Sequence, residues 1–259
     1  MSVELNHRIN GPHDAPVVVL SNSLGTSMEM WATQVPALSV GFRVLRYDQR
    51  GHGASSVPPG PYELADLGHD VLHLLDLNGI ERAHFCGVSL GGATGMWLAA
   101  NAPERIDRLA LICTSPRFGD PSMWVERAAA VREHGTAGLA EATMERWFTD
   151  DFRESQPGVV ARFKAMLESQ PDDGYAELCG VLERLDLRND LPRIGAPTLV
   201  ISGAQDPSTP PEQHGRLIAE AIPGARFEVL DPAAHLANVE RADVVTDLIL
   251  DHLEAKDQE

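Results

Sequence analysis

The stretch Ala83-His84-Phe85-Cys86-Gly87-Val88-Ser89-Leu90-Gly91-Gly92 decides the fold. Ala83 to Cys86 reads as a strand, and the small-residue run from Leu90 to Asn101 reads as a helix. Between them stands a G-x-S-x-G element, the pattern of a nucleophile elbow: strand, sharp turn with serine at its apex, helix. Glycine is demanded at 87 and 91 because side chains there would collide with the strand or the helix. The turn is expected to lift the Ser89 hydroxyl clear of the sheet. It also aims the backbone N–H of Leu90, at a helix N-terminus, where an oxyanion would form. A serine before a helix is also an ordinary N-cap. The flanking glycines, the preceding strand and the partners found further along favour the nucleophile.

Outward from this point, short apolar runs alternate with longer helical patterns, which predicts an α/β fold with a mostly parallel central sheet flanked by helices. Residues 16–20 and 42–47 read as strands before the elbow, and 108–113, 198–202 and 225–230 as strands after it. Tyr62 to Leu77 carries Leu64, Leu67, Val71, Leu74 and Leu75 at helical spacing, and a closing helix is expected over about Leu236 to Leu253. Between Ser115 and Pro192 the rhythm changes to amphipathic helical patterns broken by Gly135, Gly138, Pro157, Pro171 and Gly174. That predicts an all-helical cap over 116–192, inserted between two strands of a core made of 1–115 and 193–259. The charged tail Glu254 to Glu259 is expected to fray.

The partners of a serine nucleophile follow in chain order. Asp206 lies in Ser202-Gly203-Ala204-Gln205-Asp206-Pro207, on a loop after a strand. His235 lies in Ala233-Ala234-His235-Leu236, after the last strand and before the last helix. The order Ser, Asp, His differs from that of the two well-known serine protease folds. Neutral serine is a weak nucleophile, so His235 is expected to take its proton during attack and return it to the leaving oxygen. Asp206 would fix the imidazole tautomer. Asp231 is a rival acid, but only four residues before the histidine it suits a turn better. A second oxyanion donor is expected from the loop Ser21-Asn22-Ser23-Leu24-Gly25, with Leu24 supplying its backbone N–H; the plainer reading of that loop is a polar strand-to-helix turn.

His52, in Asp48-Gln49-Arg50-Gly51-His52-Gly53, reads as structural, and the other histidines form no metal-ligand grouping. No G-x-G-x-x-G or phosphate-binding loop is present, so neither a metal nor a nucleotide cofactor is expected. The 259 residues, 43% hydrophobic, carry a formal net charge of −17. A phosphate backbone demands a basic face, so nucleic acid is not an expected partner. The apolar runs are too short to span a bilayer and no signal peptide is expected. Cys86, Cys113 and Cys179 match no disulfide or zinc framework, so they are expected to be reduced, mostly buried thiols in a cytoplasmic protein. The sequence does not separate a monomer from a homo-oligomer.

Nearly the whole chain resembles the α/β-hydrolase fold family, and within it the 3-oxoadipate enol-lactonases. The points of contact are Asn22-Ser23-Leu24-Gly25-Thr26 with Met30-Trp31, residues 47–53, residues 86–92, and Ala233-Ala234-His235-Leu236-Ala237-Asn238-Val239-Glu240. The elbow and the Asp-Gln-Arg-Gly-His-Gly element mark only the fold; the first and last stretches are narrower. The resemblance implies a small anionic lactone as substrate, opened by Ser89 through an acyl-enzyme that His235 then hydrolyses, in aromatic-compound breakdown. In a chain this acidic, the substrate carboxylate needs a local cation. The candidates are Arg117, Arg127 and Arg132 at the start of the cap with Trp124 nearby, and Arg146 followed by Trp147. Rival expectations keep the chemistry and change the substrate: a carboxylesterase, another lactonase or a C–C bond hydrolase. A slow-turnover ligand-sensing receptor is the alternative of a different class.

Overall fold

The computed structural model describes residues 3–255; beyond 255 the tail expected to fray lies outside the described residues. Among the described residues the chain lays down β1 (His7–Asn10), β2 (Val17–Ser21), α1 (Val35–Gly41), β3 (Arg43–Tyr47), α2 (Leu64–Leu77), β4 (Ala83–Val88), α3 (Leu90–Asn101) and β5 (Ile106–Ile112). A run of helices follows: α4 (Pro121–His134), α5 (Ala140–Trp147), α6 (Asp150–Ser155), α7 (Pro157–Glu168) and α8 (Asp172–Arg184). The chain then returns through β6 (Thr198–Gly203), α9 (Gly215–Ala221), β7 (Arg226–Leu230), α10 (Ala237–Glu240) and α11 (Ala242–Glu254). None of these helices is long and apolar enough to cross a membrane.

The strands form one sheet in the order β1-β3-β2-β4-β5-β6-β7, with β1 antiparallel and every other neighbouring pair parallel. Every residue of β4 and of β6 is buried, which is why both read as continuous apolar runs rather than alternating ones. Parallel pairing brings the C-terminal ends of β2, β4, β5, β6 and β7 to one edge. There Ser21 pairs with Gly87, Ile112 with Ile201, and Gly203 with Leu230. The loops that leave these ends carry every residue the sequence nominated for the chemistry, as open parallel sheets arrange.

The α/β architecture and the helical cap between β5 and β6 agree with the sequence. Three elements escaped it: β1, α1 and α9. The edge strand His7-Arg8-Ile9-Asn10 has a single apolar residue, and α1 and α9 bury only one and two residues over seven, so neither shows a readable period. The closing segment is two helices, because Arg241 (φ −121°, ψ 47°) leaves the helical region between α10 and α11. The fully buried Gln34 donates to Asn238 O (2.7 Å) just ahead of that break.

One of the expected cap breakers, Gly174, acts otherwise. Gly135 (φ +72°) ends α4, Gly138 lies in the short 3-10 turn before α5 and Pro157 opens α7, but Gly174 lies within the first turn of α8. Glycine is needed at 174 for close approach: a Cβ there would collide with the backbone of Gly51, across the boundary between cap and core. Gly174→Ala is therefore expected to lower unfolding free energy by about 1–3 kcal/mol, since backbone cannot move aside as a side chain can. Gly158→Ala in α7, where a Cβ meets nothing, should instead be neutral or stabilise by up to ~1 kcal/mol. Urea titrations of the two variants make the comparison.

Candidate active site

The turn from β4 into α3 holds Ser89 at φ +56°, ψ −115°, in the left-handed half of backbone space that serine avoids. No other path fits. A Cβ at Gly87 would strike Gly91 O, and one at Gly91 would strike the backbone of Ser21 and Asn22. The strained peptide is held from two sides: Ser89 N–H donates to Ile112 O (2.9 Å), and Thr114 Oγ1 donates to Ser89 O (2.6 Å). A strain of order 1–3 kcal/mol persists only when neighbours over-determine it, as here.

His235 and Asp206 meet. His235 Nδ1 lies 2.8 Å from Asp206 Oδ2, and both side chains are buried. The carboxylate also accepts from Ser208 N–H (2.8 Å), Thr209 N–H (3.1 Å) and the Thr209 hydroxyl. Burial alone would raise the Asp206 carboxyl, but the facing His235 and the Thr209 donors hold it below its ordinary value. An ionised Asp206 places the imidazole proton on Nδ1 and leaves Nε2 as the free base. Gly203, at the end of β6, lets the two loops touch, since a Cβ there would strike Ala233 O and Ala234 O. Asp231 is exposed, and among the described residues its carboxylate reaches only Gln205 Nε2 (3.5 Å) and makes no hydrogen bond to His235.

The loop after β2 is fastened by its own side chains. Asn22 donates to Tyr47 O (2.7 Å) and accepts from Trp31 Nε1 (3.1 Å), while Thr26 Oγ1 donates to Ser23 O (2.8 Å) and approaches Met30 Sδ (3.0 Å). Gly91 N–H donates to Asn22 O (3.0 Å), tying this loop to the elbow. Leu90 N–H, in the first turn of α3, and Leu24 N–H have no acceptor among the described residues.

The cap candidates separate. Arg117 is exposed, and Arg132 is exposed and paired with Glu177 (2.9 Å). Arg127 and Arg146 are half-buried and converge on Thr143 Oγ1, at 3.2 and 2.9 Å. Among the described residues neither is paired with a carboxylate. Burial and the neighbouring Arg127 both lower the Arg146 guanidinium from its ordinary value. Arg127 also donates through Nε to Tyr175 OH (2.8 Å) and lies over the Trp124 and Tyr175 rings. Trp124 is buried with its N–H on Phe118 O (2.7 Å). Trp147, also buried, faces Gly25 together with Leu167 and Tyr175.

Residues 16–242 match the model of the α/β hydrolase fold. The chain belongs to the α/β hydrolase family. Within it, the chain is 43% identical over 92% of its length to 3-oxoadipate enol-lactonase 2 of Acinetobacter baylyi, covering 89% of that protein. It is 31% identical to the putative carbamate hydrolase RutD of Stutzerimonas stutzeri over 98% of this chain and 96% of the relative. Among solved structures, the enol-lactonase from Burkholderia xenovorans superposes with a TM-score of 0.96 at 49% identity, covering 98% of this chain and 97% of that one.

Sequence reasoning passed over three residues of this α/β hydrolase site. Thr209 caps the Asp206 carboxylate, a contact whose only signal is the Asp-x-x-Thr spacing. Glu240 accepts from Ala234 N–H (2.9 Å) and from the Thr149 hydroxyl, pinning the histidine loop to the cap. Tyr175 carries no local signal; it stacks on His52 (5.9 Å between centroids, 13° between planes) from across the fold. Burial pushes the fully enclosed His52 imidazole down to about 4. In the unfolded chain it would titrate near 6.5. Between pH 6.5 and about 4 the unfolded state therefore binds a proton that the folded state refuses, and stability falls as pH falls. This one group contributes a slope of at most ~1.4 kcal/mol per pH unit across that window. Unfolding free energies measured at intervals from pH 7 to 4.5 should show that decline, and His52→Gln should flatten part of it.

Proposed function

We propose that this chain hydrolyses 3-oxoadipate enol-lactone to 3-oxoadipate. Ser89 Oγ attacks the lactone carbonyl while its proton passes to His235 Nε2, and Asp206 holds the resulting imidazolium. The tetrahedral oxyanion takes the two free N–H groups of Leu24 and Leu90. Collapse breaks the ring C–O bond, the enol oxygen receives the proton from His235, and the product acid remains as an ester on Ser89. Water, deprotonated by His235, then releases it. An enolate is a better leaving group than an alkoxide, so this step asks less of the acid than ordinary ester cleavage. In this reading the helical segment 116–192 is the cap over a core of 1–115 and 193–259. The setting is the cytoplasm, where the three buried thiols stay reduced.

The observation that carries the substrate class is the pair Arg127 and Arg146. They are half-buried on the cap, share one hydroxyl and among the described residues pair with no carboxylate, a place for the acid arm of the substrate. Similarity to two enol-lactonases over almost the whole chain supports the lactone as the other half of it. A surface cleft of about 230 Å³ against Gln205 and Ala234 is lined by Glu145, Asp150 and Asp151, which repel an anion, so it does not compete for this substrate.

Loss of ultraviolet absorbance of freshly generated lactone should be fast with the wild type and at least ~10³-fold slower with Ser89→Ala. Good p-nitrophenyl acetate hydrolysis beside an idle lactone would keep the serine chemistry and sink the substrate. Arg127→Gln and Arg146→Gln should each raise KM for the lactone by about tenfold to a hundredfold while leaving the neutral ester's KM unchanged. An arginine whose removal leaves lactone kinetics untouched is not the anchor.

A further inference from the structure

His52 is fully enclosed and takes no part in the steps above, yet its ring stands between the oxyanion loop and the cap. Its Nε2 accepts from Gly25 N–H at 2.8 Å, and its Nδ1 lies 2.7 Å from Gly51 O. A backbone N–H is only a donor, so Nε2 must be the unprotonated nitrogen, and Nδ1–H then donates to the carbonyl. One tautomer of the neutral ring satisfies both contacts; a protonated ring cannot accept from Gly25. The peptide bearing that N–H is the one that follows Leu24, so this bond fixes the torsion about the Leu24 Cα–C bond. Gly25 itself is at φ +83° and has no room to move: a Cβ there would lie 2.7 Å from Leu167 and 3.2 Å from Tyr175.

On its other side the ring is stacked on Tyr175, whose hydroxyl accepts from Arg127 Nε. Gly51 and Gly53, which flank the histidine, are themselves held against the cap. Gly51 packs on Gly174, and Gly53 N–H donates to Gln170 Oε1 (2.8 Å). A continuous run of contacts therefore leads from the cap arginine through Tyr175 and His52 to Gly25 and Leu24.

We propose that His52 is a positioning residue for the oxyanion loop, holding Leu24 N–H at the reacting carbonyl as an acceptor for Gly25 N–H and so linking the cap to the chemistry. The inference rests on Leu24 serving as oxyanion donor. Because an oxyanion forms only in the transition state, its loss must appear in kcat for every acyl substrate and not in KM. Removing a single oxyanion donor outright costs about 10²–10³ in kcat; misplacing one costs less.

The test compares wild type, His52→Ala and His52→Gln on the lactone and on p-nitrophenyl acetate, with active-site concentration fixed by organophosphate titration of Ser89. Per titrated site, His52→Ala should lose about tenfold to a hundredfold in kcat on both substrates with KM changed by less than about threefold. His52→Gln, which restores an acceptor, should recover most of that loss. Unchanged kcat per site in His52→Ala, or a deficit that glutamine leaves as deep as alanine does, overturns the proposal. If neither variant folds, histidine-selective ¹⁵N spectra of the wild type decide. A ring protonated on Nδ1 and bare on Nε2 from pH 8 to 5 supports the proposal, and the opposite tautomer or a titrating ring overturns it. A wild type idle on the lactone but active on the ester would sink the substrate reading alone, since the ester arm still reports on His52.

Discussion

At the end of β4 the backbone turns through a space with no room for a Cβ at positions 87, 91 or 92. Gly87 lies against Gly91, Gly91 against the loop after β2, and Gly92 against Thr114 after β5. Three segments distant in sequence are thereby brought into close contact at one point, and Ser89 is the residue left at φ +56°. Interiors packed as densely as organic crystals transmit such contacts rather than absorb them. The separation of the Leu24 and Leu90 peptides is thus set by the hydrogen bond from Gly91 to Asn22, and the placement of the serine by Ile112 and Thr114. A methyl group at 87 or 91 would therefore disturb Ser89 and the Leu24 and Leu90 peptides together, although it belongs to none of them.

The cap is bonded to the core at both sides of this point. On the histidine side, Leu236 N–H donates to Trp147 O (3.0 Å), and the Glu240 carboxylate bridges Ala234 N–H to the Thr149 backbone and hydroxyl. His235 thus sits between two residues whose N–H groups are fixed by the cap or through it. On the oxyanion side, Gly174 and Gln170 grip the loop that carries His52. The cap segments from α5 to α8 therefore bear on both loops. They complete the hydrogen bonding of the loops that carry His235 and His52, and in the proposed mechanism the energy of binding in the cap has a path to the reacting carbonyl.

Sequence alone is enough for the parallel strands of the sheet, the elbow and the loops of Asp206 and His235, because each is a local pattern: a buried apolar run, a pair of glycines, a residue just past a strand. The edge strand β1 was not legible, since a half-exposed pairing asks little of its side chains. Gly174 was misread as a breaker for a related reason. A glycine signals that space is short or backbone unusual, and sequence does not say which; here the crowding comes from Gly51, more than a hundred residues away. Asp-Gln-Arg-Gly-His-Gly announced a structural loop, and Arg50 does bind Asp70 through Nε (2.6 Å) and Nη2 (2.7 Å). What His52 faces was invisible, because both Gly25 and Tyr175 arrive from other parts of the chain.

Charge poses the remaining question: how a protein of net charge −17 takes an anionic substrate. Long-range attraction is unfavourable but screened, with a Debye length of about 8 Å at physiological salt. Recognition therefore falls to groups that salt does not reach. In the proposed reading, Arg127 and Arg146 meet that need. They are partly desolvated, their like charges oppose one another around Thr143, and burial already disfavours the charged form of Arg146. A carboxylate placed between them relieves both penalties at once, whereas a neutral ester of the same size relieves neither. Exposed Arg132, already neutralised by Glu177, has nothing comparable to gain. In the proposed reading, an acidic protein whose two half-buried cap arginines pair with no carboxylate among the described residues discriminates by desolvation and pairing rather than by steering.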